Sequence, residues 1–209
     1  MATPAPEPPV LAADSGPEGR RRILDVSAGL FLERGYAGTS LREIAAAVGM
    51  KPGSLYYHFA SKEALLEAIL RHGIDVMVVA FSAAAADHRD APARERFAAH
   101  VRAHLGALFE HGPYTAAHVT TFRTAPTPVM AAIVPQRDAY EAMWSELLAS
   151  FVRDGAIRSD TTVGLARLLL FGAMNASVEW FDRERGSLDD FAAAVTRQFW
   201  SGWTGEGDA

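Results

Sequence analysis

The fold is decided by residues 40–62, Ser-Leu-Arg-Glu-Ile-Ala-Ala-Ala-Val-Gly-Met-Lys-Pro-Gly-Ser-Leu-Tyr-Tyr-His-Phe-Ala-Ser-Lys. Ser40 and Glu43, three residues apart, form the capping box that starts a helix, in which each side chain accepts a backbone N–H of the other residue. Gly49 takes a positive φ at no steric cost, so it predicts a sharp turn at the helix end. The apolar positions between them follow the spacing of one buried helix face: Leu41, Ile44, Ala45 and Val48.

A second short helix follows the turn. Pro52 fits the first helical turn, where its missing N–H would have had no partner. Leu55 and Phe59 lie four residues apart and predict a buried rear face. The side chains that remain outside are polar or aromatic: Ser54, Tyr56, Tyr57 and His58. Two helices joined by a glycine turn, the second facing outward with such groups, are typical of a DNA-reading helix-turn-helix.

The segments Thr39-Ser40, Ile44-Ala45, Val48-Gly49, Gly53 to Phe59 and Ser61 to Leu65 resemble the N-terminal signature of the TetR/AcrR family of bacterial transcriptional repressors. The resemblance implies an all-α homodimer. Each subunit would have an N-terminal three-helix helix-turn-helix head and a larger C-terminal helical domain that binds a small molecule and dimerises. It also implies a palindromic double-stranded DNA operator as partner. The expected DNA-contacting residues are Thr39, Arg42, Lys51, Ser54, Tyr56, Tyr57, His58 and Lys62.

Charge and composition agree with such a protein. Hydrophobic residues make up 49% of the 209 residues, with alanine-rich stretches that favour helix. The net charge is −5, yet residues 18–65 carry seven Lys and Arg against five Asp and Glu. A mildly basic head on an acidic body suits a DNA-binding dimer, because only the head must neutralise phosphates. The chain has no cysteine, no apolar run of membrane-spanning length and no secretory signal pattern, so we expect a cytoplasmic protein without a membrane partner.

Other functions remain as alternatives. A glycine-turn helix pair also occurs as an ordinary α-hairpin, in which case the chain is a helical small-molecule carrier or an enzyme that does not bind DNA. His100 and His104 have the i, i+4 spacing of metal ligands, but no glutamate lies between them as in a zinc protease, and a solvated or hydrogen-bonded pair is favoured. No phosphate-binding glycine loop or nucleophile elbow occurs. We therefore predict no enzyme, no metal and no cofactor.

The domain organisation follows from prolines and periodicity. Residues 1–17 contain five prolines and predict a disordered tail, residues 18–65 the DNA-binding head, and residues 66–209 the ligand-binding and dimerisation domain. Prolines between residues 112 and 135 predict only short helices there. The helices expected elsewhere cover residues 18–35, 62–72, a continuation through 74–81, then 93–110, 136–154, 163–182 and a last helix capped by Ser187.

The C-terminal domain should hold a small hydrophobic effector. The apolar and polar candidates for its pocket are Phe81, Phe97, Leu105, Phe109, Tyr114, Phe122, Met130, Phe171, Met174, Asn175 and Trp180. Residues 142–144, 154–158, 175–181 and 186–188 are similar to repressors of fatty-acid and steroid catabolism that sense acyl-CoA thioesters. That similarity implies that Asn175 and Trp180 line the pocket and that Arg123 or Arg137 pairs with CoA phosphates. The alternative effector is an uncharged drug or polyketide.

Dimerisation and control complete the expectations. The wide apolar stripes of the helices that contain Trp144 and Trp180 predict a four-helix dimer interface, with packing inside one subunit as the alternative. An effector can release DNA only if it binds better to a state whose heads no longer fit two half-sites. We expect the helix of residues 62–72 to be the lever that moves the heads.

Overall fold

The computed structural model describes residues 16–204, and that part of the chain is all-α, with nine α-helices and no strand. The predicted all-α fold class is confirmed. The tail predicted for residues 1–17 lies outside the described residues except at its end. The helices are α1 (Pro17–Arg34), α2 (Leu41–Val48), α3 (Pro52–His58), α4 (Lys62–Asp87), α5 (Ala93–Phe109), α6 (Tyr114–Thr121), α7 (Thr127–Arg153), α8 (Val163–Ala176) and α9 (Leu188–Thr204).

The N-terminal helices begin and end where the sequence predicts. Ser40 donates its backbone N–H to Glu43 Oε2 at 2.7 Å, and Ser40 Oγ accepts the backbone N–H of Glu43 at 3.2 Å. Gly49 ends α2 with a φ of 77°, in the left-handed region. Ser61 caps α4 by accepting the backbone N–H of Ala64 at 3.1 Å. These local hydrogen bonds define where the helices of the helix-turn-helix begin and end.

Gly73 corrects one prediction. The sequence predicts that the helix from Lys62 ends near His72, whereas α4 runs unbroken from Lys62 to Asp87. Gly73 lies in its buried middle, and a Cβ there would stand 2.7 Å from the Tyr114 carbonyl oxygen and 3.0 Å from His118 Cβ. The glycine therefore permits the close approach of α4 and α6. It does not end the helix.

Pro135 corrects a second prediction. The prolines of residues 112–135 predict only short helices there. α6 is short, as expected, but α7 starts at Thr127 and includes Pro135 in its interior. A proline inside a helix removes one hydrogen bond and costs roughly 3 kcal/mol. Val129 and Ile133 of the same helix are buried, and their packing holds the extra turns against that cost.

The end of α8 differs as well. The apolar pattern predicts a helix to Asp182, whereas α8 stops at Ala176 and continues as a 3₁₀ turn over Ser177–Glu179. Ser177 Oγ donates to the Met174 carbonyl oxygen at 2.5 Å, a local bond that competes with the regular helix. Ser187 caps α9 as predicted, since its Oγ accepts the backbone N–H of Asp190 at 3.3 Å.

The body is built around α4. α5, α6 and α7 pack against α4, α9 packs on α5, and α8 packs on α7. The boundary proposed between residues 65 and 66 lies inside α4, so one continuous helix belongs to both the head and the body. In the part of the chain that the structure describes, no helix is long and apolar enough to cross a membrane.

Candidate DNA-binding surface and effector cavity

The exposed side of α3 carries the predicted DNA-reading residues. Tyr57 is 77% exposed and Tyr56 is also exposed, while Leu55 of the same helix is fully buried. The Tyr57 and His58 rings contact edge to face, with centroids 5.5 Å apart. Lys51 precedes the helix and is exposed. A short helix thus holds large aromatic side chains outward, the geometry needed to insert them into a groove of DNA.

Lys62 is held beside this surface at the first turn of α4. Its Nζ lies 4.0 Å from the centroid of the Tyr36 ring, and the Tyr36 hydroxyl donates to Glu63 Oε1 at 3.0 Å. Burial lowers the pKa of Lys62. Arg42, Tyr56 and Lys62 line one shallow concavity together with the turn that precedes α2. The structure therefore brings three predicted DNA-contacting residues together around a site where the start of α4 also favours an anion.

Thr39 is placed differently from the prediction. It was expected to contact the DNA backbone, but it is 2% exposed and its Oγ1 donates to the Gly35 carbonyl oxygen at 3.0 Å. The hydroxyl is used to close the turn between α1 and α2. Ser40, its exposed neighbour, lines the concavity with Arg42. Thr39 therefore lines the concavity as part of this turn, but its hydroxyl is used inside the protein.

The body contains a cavity of about 670 Å³ between α4, α5, α6, α7 and α8. Its apolar wall includes Met77, Val119, Phe122 and Phe171. Its volume lies within the range of roughly 300–1,000 Å³ that is usual for small-molecule sites. Six neutral polar residues line the same space: His104, His118, Thr120, Thr124, Tyr140 and Asn175. Apolar walls with a few placed polar groups are the usual chemistry of a ligand pocket.

His104 joins three of the helices through hydrogen bonds. Its Nδ1 lies 2.8 Å from the Tyr140 hydroxyl, and its Nε2 lies 2.9 Å from Asn175 Oδ1. Trp144 Nε1 donates to the same Tyr140 hydroxyl at 2.9 Å. Burial lowers the pKa of His104 to about 4, so its imidazole is neutral at pH 7. The bonded chain fixes α5, α7 and α8 relative to one another.

His118 on α6 lines the cavity and has one ring nitrogen without a hydrogen-bond partner in the described part of the chain. It is buried, its ring stacks on Phe122 with centroids 5.6 Å apart, and it hydrogen-bonds the backbone of Leu70. Burial lowers its pKa to about 4. Its Nδ1 has no hydrogen-bond partner among the described residues. A buried nitrogen without a partner costs free energy.

Charged residues line another part of the cavity. Arg123 and Arg137 both contribute to its lining, and the Arg137 guanidinium lies 4.9 Å from the centroid of the Phe122 ring. Arg137 Nε is 3.4 Å from Glu141 Oε1, and Glu141 also pairs with Arg167. Arg123 is exposed. One cavity therefore combines apolar walls, neutral polar groups, two arginines and two glutamates, Glu141 and Glu179.

Among the residues predicted to line the effector pocket, the structure brings together Phe122, Phe171 and Asn175, with Arg123 and Arg137. Phe81, Phe97, Leu105 and Met174 are instead buried in the core, and Met130 packs against it. Phe81 contacts the His100 ring, and Phe97 contacts the Trp203 ring. Their large apolar side chains fill space, whereas a pocket is the space that side chains leave open.

Three further candidates lie outside the cavity for individual reasons. Phe109 packs edge to face on Phe181, with centroids 5.3 Å apart. Tyr114 points toward α1, where its hydroxyl donates to Asp25 Oδ1 at 2.6 Å. Trp180 is 61% exposed, because α8 ends four residues before it. The polar lining residues His104, His118 and Tyr140 were not predicted, although the histidine spacing was noted for metal binding. In the described residues no group of three or more His, Cys, Asp or Glu could hold a metal ion.

The apolar face of α8 is exposed. Leu165, Leu168 and Leu169 each leave more than half of their surface to solvent. In contrast, Trp144 is fully buried and Leu147 nearly so. The α7 stripe that helped to predict the dimer interface is packed inside the subunit, which is the alternative that the sequence left open. The α8 stripe remains available for a partner subunit.

Comparison with known proteins decides the family. The N-terminal profile of the bacterial regulatory proteins of the tetR family matches residues 23–69, and the tetracycline repressor-like C-terminal domain profile matches residues 90–202, more than half of the chain. The chain belongs to the TetR family. The resemblance inferred from residues 39–65 is thereby confirmed.

Among the matched relatives, the KstR2 repressors align over most of their length. The HTH-type transcriptional repressor KstR2 of Rhodococcus jostii is 33% identical over 192 residues, covering 87% of this chain and 88% of the relative. A solved structure of the ketosteroid transcriptional regulator KstR2 of Mycobacterium tuberculosis has a TM-score of 0.76 and 26% identity, covering 92% of this chain and 98% of that structure. The structure of AibR in complex with isovaleryl coenzyme A and operator DNA has a TM-score of 0.75 and 24% identity, covering 88% of this chain and 97% of AibR. At this identity the similarity is one of fold. This TetR-family chain is a ligand-responsive transcriptional repressor.

Proposed function

We propose that the chain binds a palindromic operator as a homodimer through α3 and that an acyl-CoA thioester in the cavity releases it. The observation that carries the effector class is the combination of apolar walls, neutral polar groups and two arginines around one space of about 670 Å³, whose lining also holds Glu141 and Glu179. An acyl group suits the apolar wall, and the CoA phosphates suit Arg123 and Arg137. The KstR2 repressors and the CoA complex of AibR support this choice.

A second space in the molecule is less suited to an effector. A wider groove of about 910 Å³ lies between α1, α4 and Tyr114. Its walls include the exposed side chains of Asp75, Val79 and Ala83, so a ligand there would stay largely hydrated. The smaller cavity provides buried polar groups that a ligand would satisfy. We therefore place the effector in the cavity beside His104 and His118.

The DNA-binding half is tested with Tyr57→Ala and Lys62→Ala. An operator is first selected from a random DNA library with the wild-type dimer, and affinity is then measured by mobility shift at several salt concentrations. Both variants should bind roughly tenfold or more weakly, because they lose contacts of about 1.4 kcal/mol or more. Lys62→Ala should also lower the slope of log affinity against log salt by about one, since one phosphate contact is lost.

Arg153→Ala is the matched control for that experiment. Arg153 is an exposed cation near the end of α7, outside the candidate DNA-binding surface. Its removal changes the net charge as much as Lys62→Ala does, yet it should leave operator affinity unchanged. If Tyr57→Ala and Lys62→Ala both bind like the wild type, the assignment of α3 fails. If no operator is selected at all, the carrier or enzyme alternative is favoured.

The effector class is tested by DNA release. Medium-chain acyl-CoAs, the matching free acids and free CoA are titrated into the protein–operator complex. The thioesters should release DNA at lower concentration than the acids, and the double variant Arg123→Ala, Arg137→Ala should lose most of that advantage. If the free acid and the thioester release DNA equally well, or if neither releases it, the acyl-CoA proposal is wrong. Release by uncharged hydrophobic drugs alone would favour the alternative effector.

A further inference from the structure

Four side chains at the side of the cavity formed by α5, α7 and α8 are hydrogen-bonded in series: Trp144, Tyr140, His104 and Asn175. We infer that this series fixes Asn175 as a hydrogen-bond donor toward the cavity, so that the repressor selects effectors that place a carbonyl oxygen against Asn175 Nδ2. The inference rests on the proposed effector cavity. Beyond the proposed function, it names the chemical group of the effector that the cavity recognises.

The direction of each bond follows from the first one. The Trp144 indole N–H is a donor only, so the Tyr140 oxygen must accept it. The Tyr140 proton then needs an acceptor, and among the described residues its hydrogen-bonding neighbour besides Trp144 is His104 Nδ1, at 2.8 Å. A neutral imidazole that accepts at Nδ1 carries its proton on Nε2. His104 Nε2 therefore donates to Asn175 Oδ1 at 2.9 Å.

This order settles which way the Asn175 amide points. The Asn175 oxygen faces His104, so the NH₂ group of the amide points away from His104. Among the described residues Asn175 Nδ2 donates to no protein acceptor, and Asn175 itself lines the cavity and is only partly buried. The amide therefore presents two N–H donors on the cavity side. The neutral state of His104, which its burial maintains, keeps the series in this order.

A donor of this kind discriminates by chemistry. A carbonyl oxygen accepts the N–H, whereas a methylene at the same place leaves the donor desolvated and without a partner. The expected preference for the carbonyl is roughly 3- to 10-fold. Two parts of an effector could supply the oxygen, the thioester carbonyl of an acyl-CoA or a ketone within the acyl body, and the same donor reads both.

Two probe pairs separate these sources. The first pair is octanoyl-CoA and S-octyl-CoA, a thioether that lacks only the carbonyl oxygen. The second pair is cyclohexanone and methylenecyclohexane, which carry no CoA and differ in C=O against C=CH₂. Affinities are measured by calorimetry for the CoA pair and by NMR titration for the uncharged pair. Because the second pair is free of CoA, its outcome does not depend on whether the effector is a thioester.

The variants act at two points of the series. Asn175→Asp keeps the size and the acceptor for His104 but replaces the NH₂ donor with a second oxygen, and Asn175→Ala removes the amide altogether. Trp144→Phe leaves the cavity lining intact, because Trp144 does not contribute to it. Without the indole donor, Tyr140 can also accept from His104, and the series can reverse. Trp144 is thus a positioning residue, and its variant should show a smaller carbonyl preference with a mixed His104 tautomer by ¹⁵N NMR.

The expected result is a carbonyl preference in the wild type for at least one pair, reduced to about onefold or below in both Asn175 variants. The His104 ring should carry its proton on Nε2. Loss of CoA binding with an intact ketone preference would end the acyl-CoA proposal and leave this inference standing. It would be overturned by a wild-type protein without preference in either pair, by a preference that survives Asn175→Ala, or by a His104 proton on Nδ1.

Discussion

Gly73→Ala should destabilise the protein although it puts a better helix former into the middle of α4. The added methyl carbon would lie 2.7 Å from the Tyr114 carbonyl oxygen and 3.0 Å from His118 Cβ. Neither neighbour is the free end of a flexible side chain, so α4 and α6 must separate by several tenths of an ångström. Overpacking of this kind costs roughly 1–3 kcal/mol.

The gain in helix propensity offsets part of that cost. Alanine in place of glycine stabilises a helix interior by up to about 1 kcal/mol. Because the 2.7 Å contact is with a backbone atom, the overpacking cost lies in the upper part of its range, about 2–3 kcal/mol, and the net loss in the free energy of unfolding should be about 1–2 kcal/mol, or roughly 2–8 °C in Tm for a chain of this size. The assay is thermal unfolding followed by circular dichroism at equal protomer concentration, since dimerisation makes Tm depend on concentration.

Gly29→Ala is the matched control, because Gly29 lies inside α1 and a Cβ there would meet nothing within 4 Å. That variant should be as stable as the wild type or up to about 1 kcal/mol more stable. The two substitutions thus carry opposite signs although their chemistry is identical. A Gly73→Ala protein as stable as Gly29→Ala would refute the close approach of α4 and α6.

Two further predictions concern the dimer and pH. Leu169→Glu should yield monomers in sedimentation experiments, because it places a charge on the exposed apolar face of α8. The control, Val79→Glu on the exposed face of α4, should remain dimeric. A dimeric Leu169→Glu protein would place the interface elsewhere. Burial lowers the pKa of His104 and His118 from 6.5 to about 4, so the unfolded chain binds more protons between these values. The free energy of unfolding, measured with urea, should be highest above pH 6.5 and fall toward pH 4 by up to about 1.4 kcal/mol per pH unit for each histidine. His118→Phe should flatten this dependence by one proton, and an unchanged slope would contradict the assignment.

The head was predictable because its determinants are local. The capping box of Ser40 and Glu43, the left-handed Gly49 and the cap at Ser61 each act within a few residues. Local hydrogen bonds and steric limits therefore fixed α2, α3 and the start of α4 without knowledge of the rest of the chain. The same holds for the buried and exposed sides of α3, which follow from the spacing of Leu55 and Phe59.

The errors in the body have the opposite origin. Gly73 and Pro135 are helix breakers by local preference, but each lies inside a long helix. Gly73 is required by Tyr114, which is distant in sequence, and the turns around Pro135 are stabilised by burial of Val129 and Ile133. Tertiary packing overrides propensity at such positions, and one sequence without its packing partners does not reveal them.

The cavity was the hardest feature to predict, for a related reason. Periodicity identifies side chains that are buried, but it does not separate those that fill the core from those that border empty space. Phe97 and Phe171 look alike in sequence, yet Phe97 packs against Trp203 while Phe171 faces the cavity. The polar lining residues carry a clearer signal, since a buried histidine needs partners and its bonds are specific.

Two helices connect the cavity to the DNA-binding head. On α6, His118 lines the cavity and Tyr114, one turn earlier, donates to Asp25 of α1. On α4, Met77 lines the cavity and Lys62 begins the helix beside α3, about 22 Å away at 1.5 Å per residue. The contact at Gly73 locks these two helices together, so neither can respond to an occupant alone. An effector that fits the cavity only when α6 shifts must therefore move both connections to the head. The ratio of its affinities for the shifted and unshifted states sets how far it can weaken operator binding.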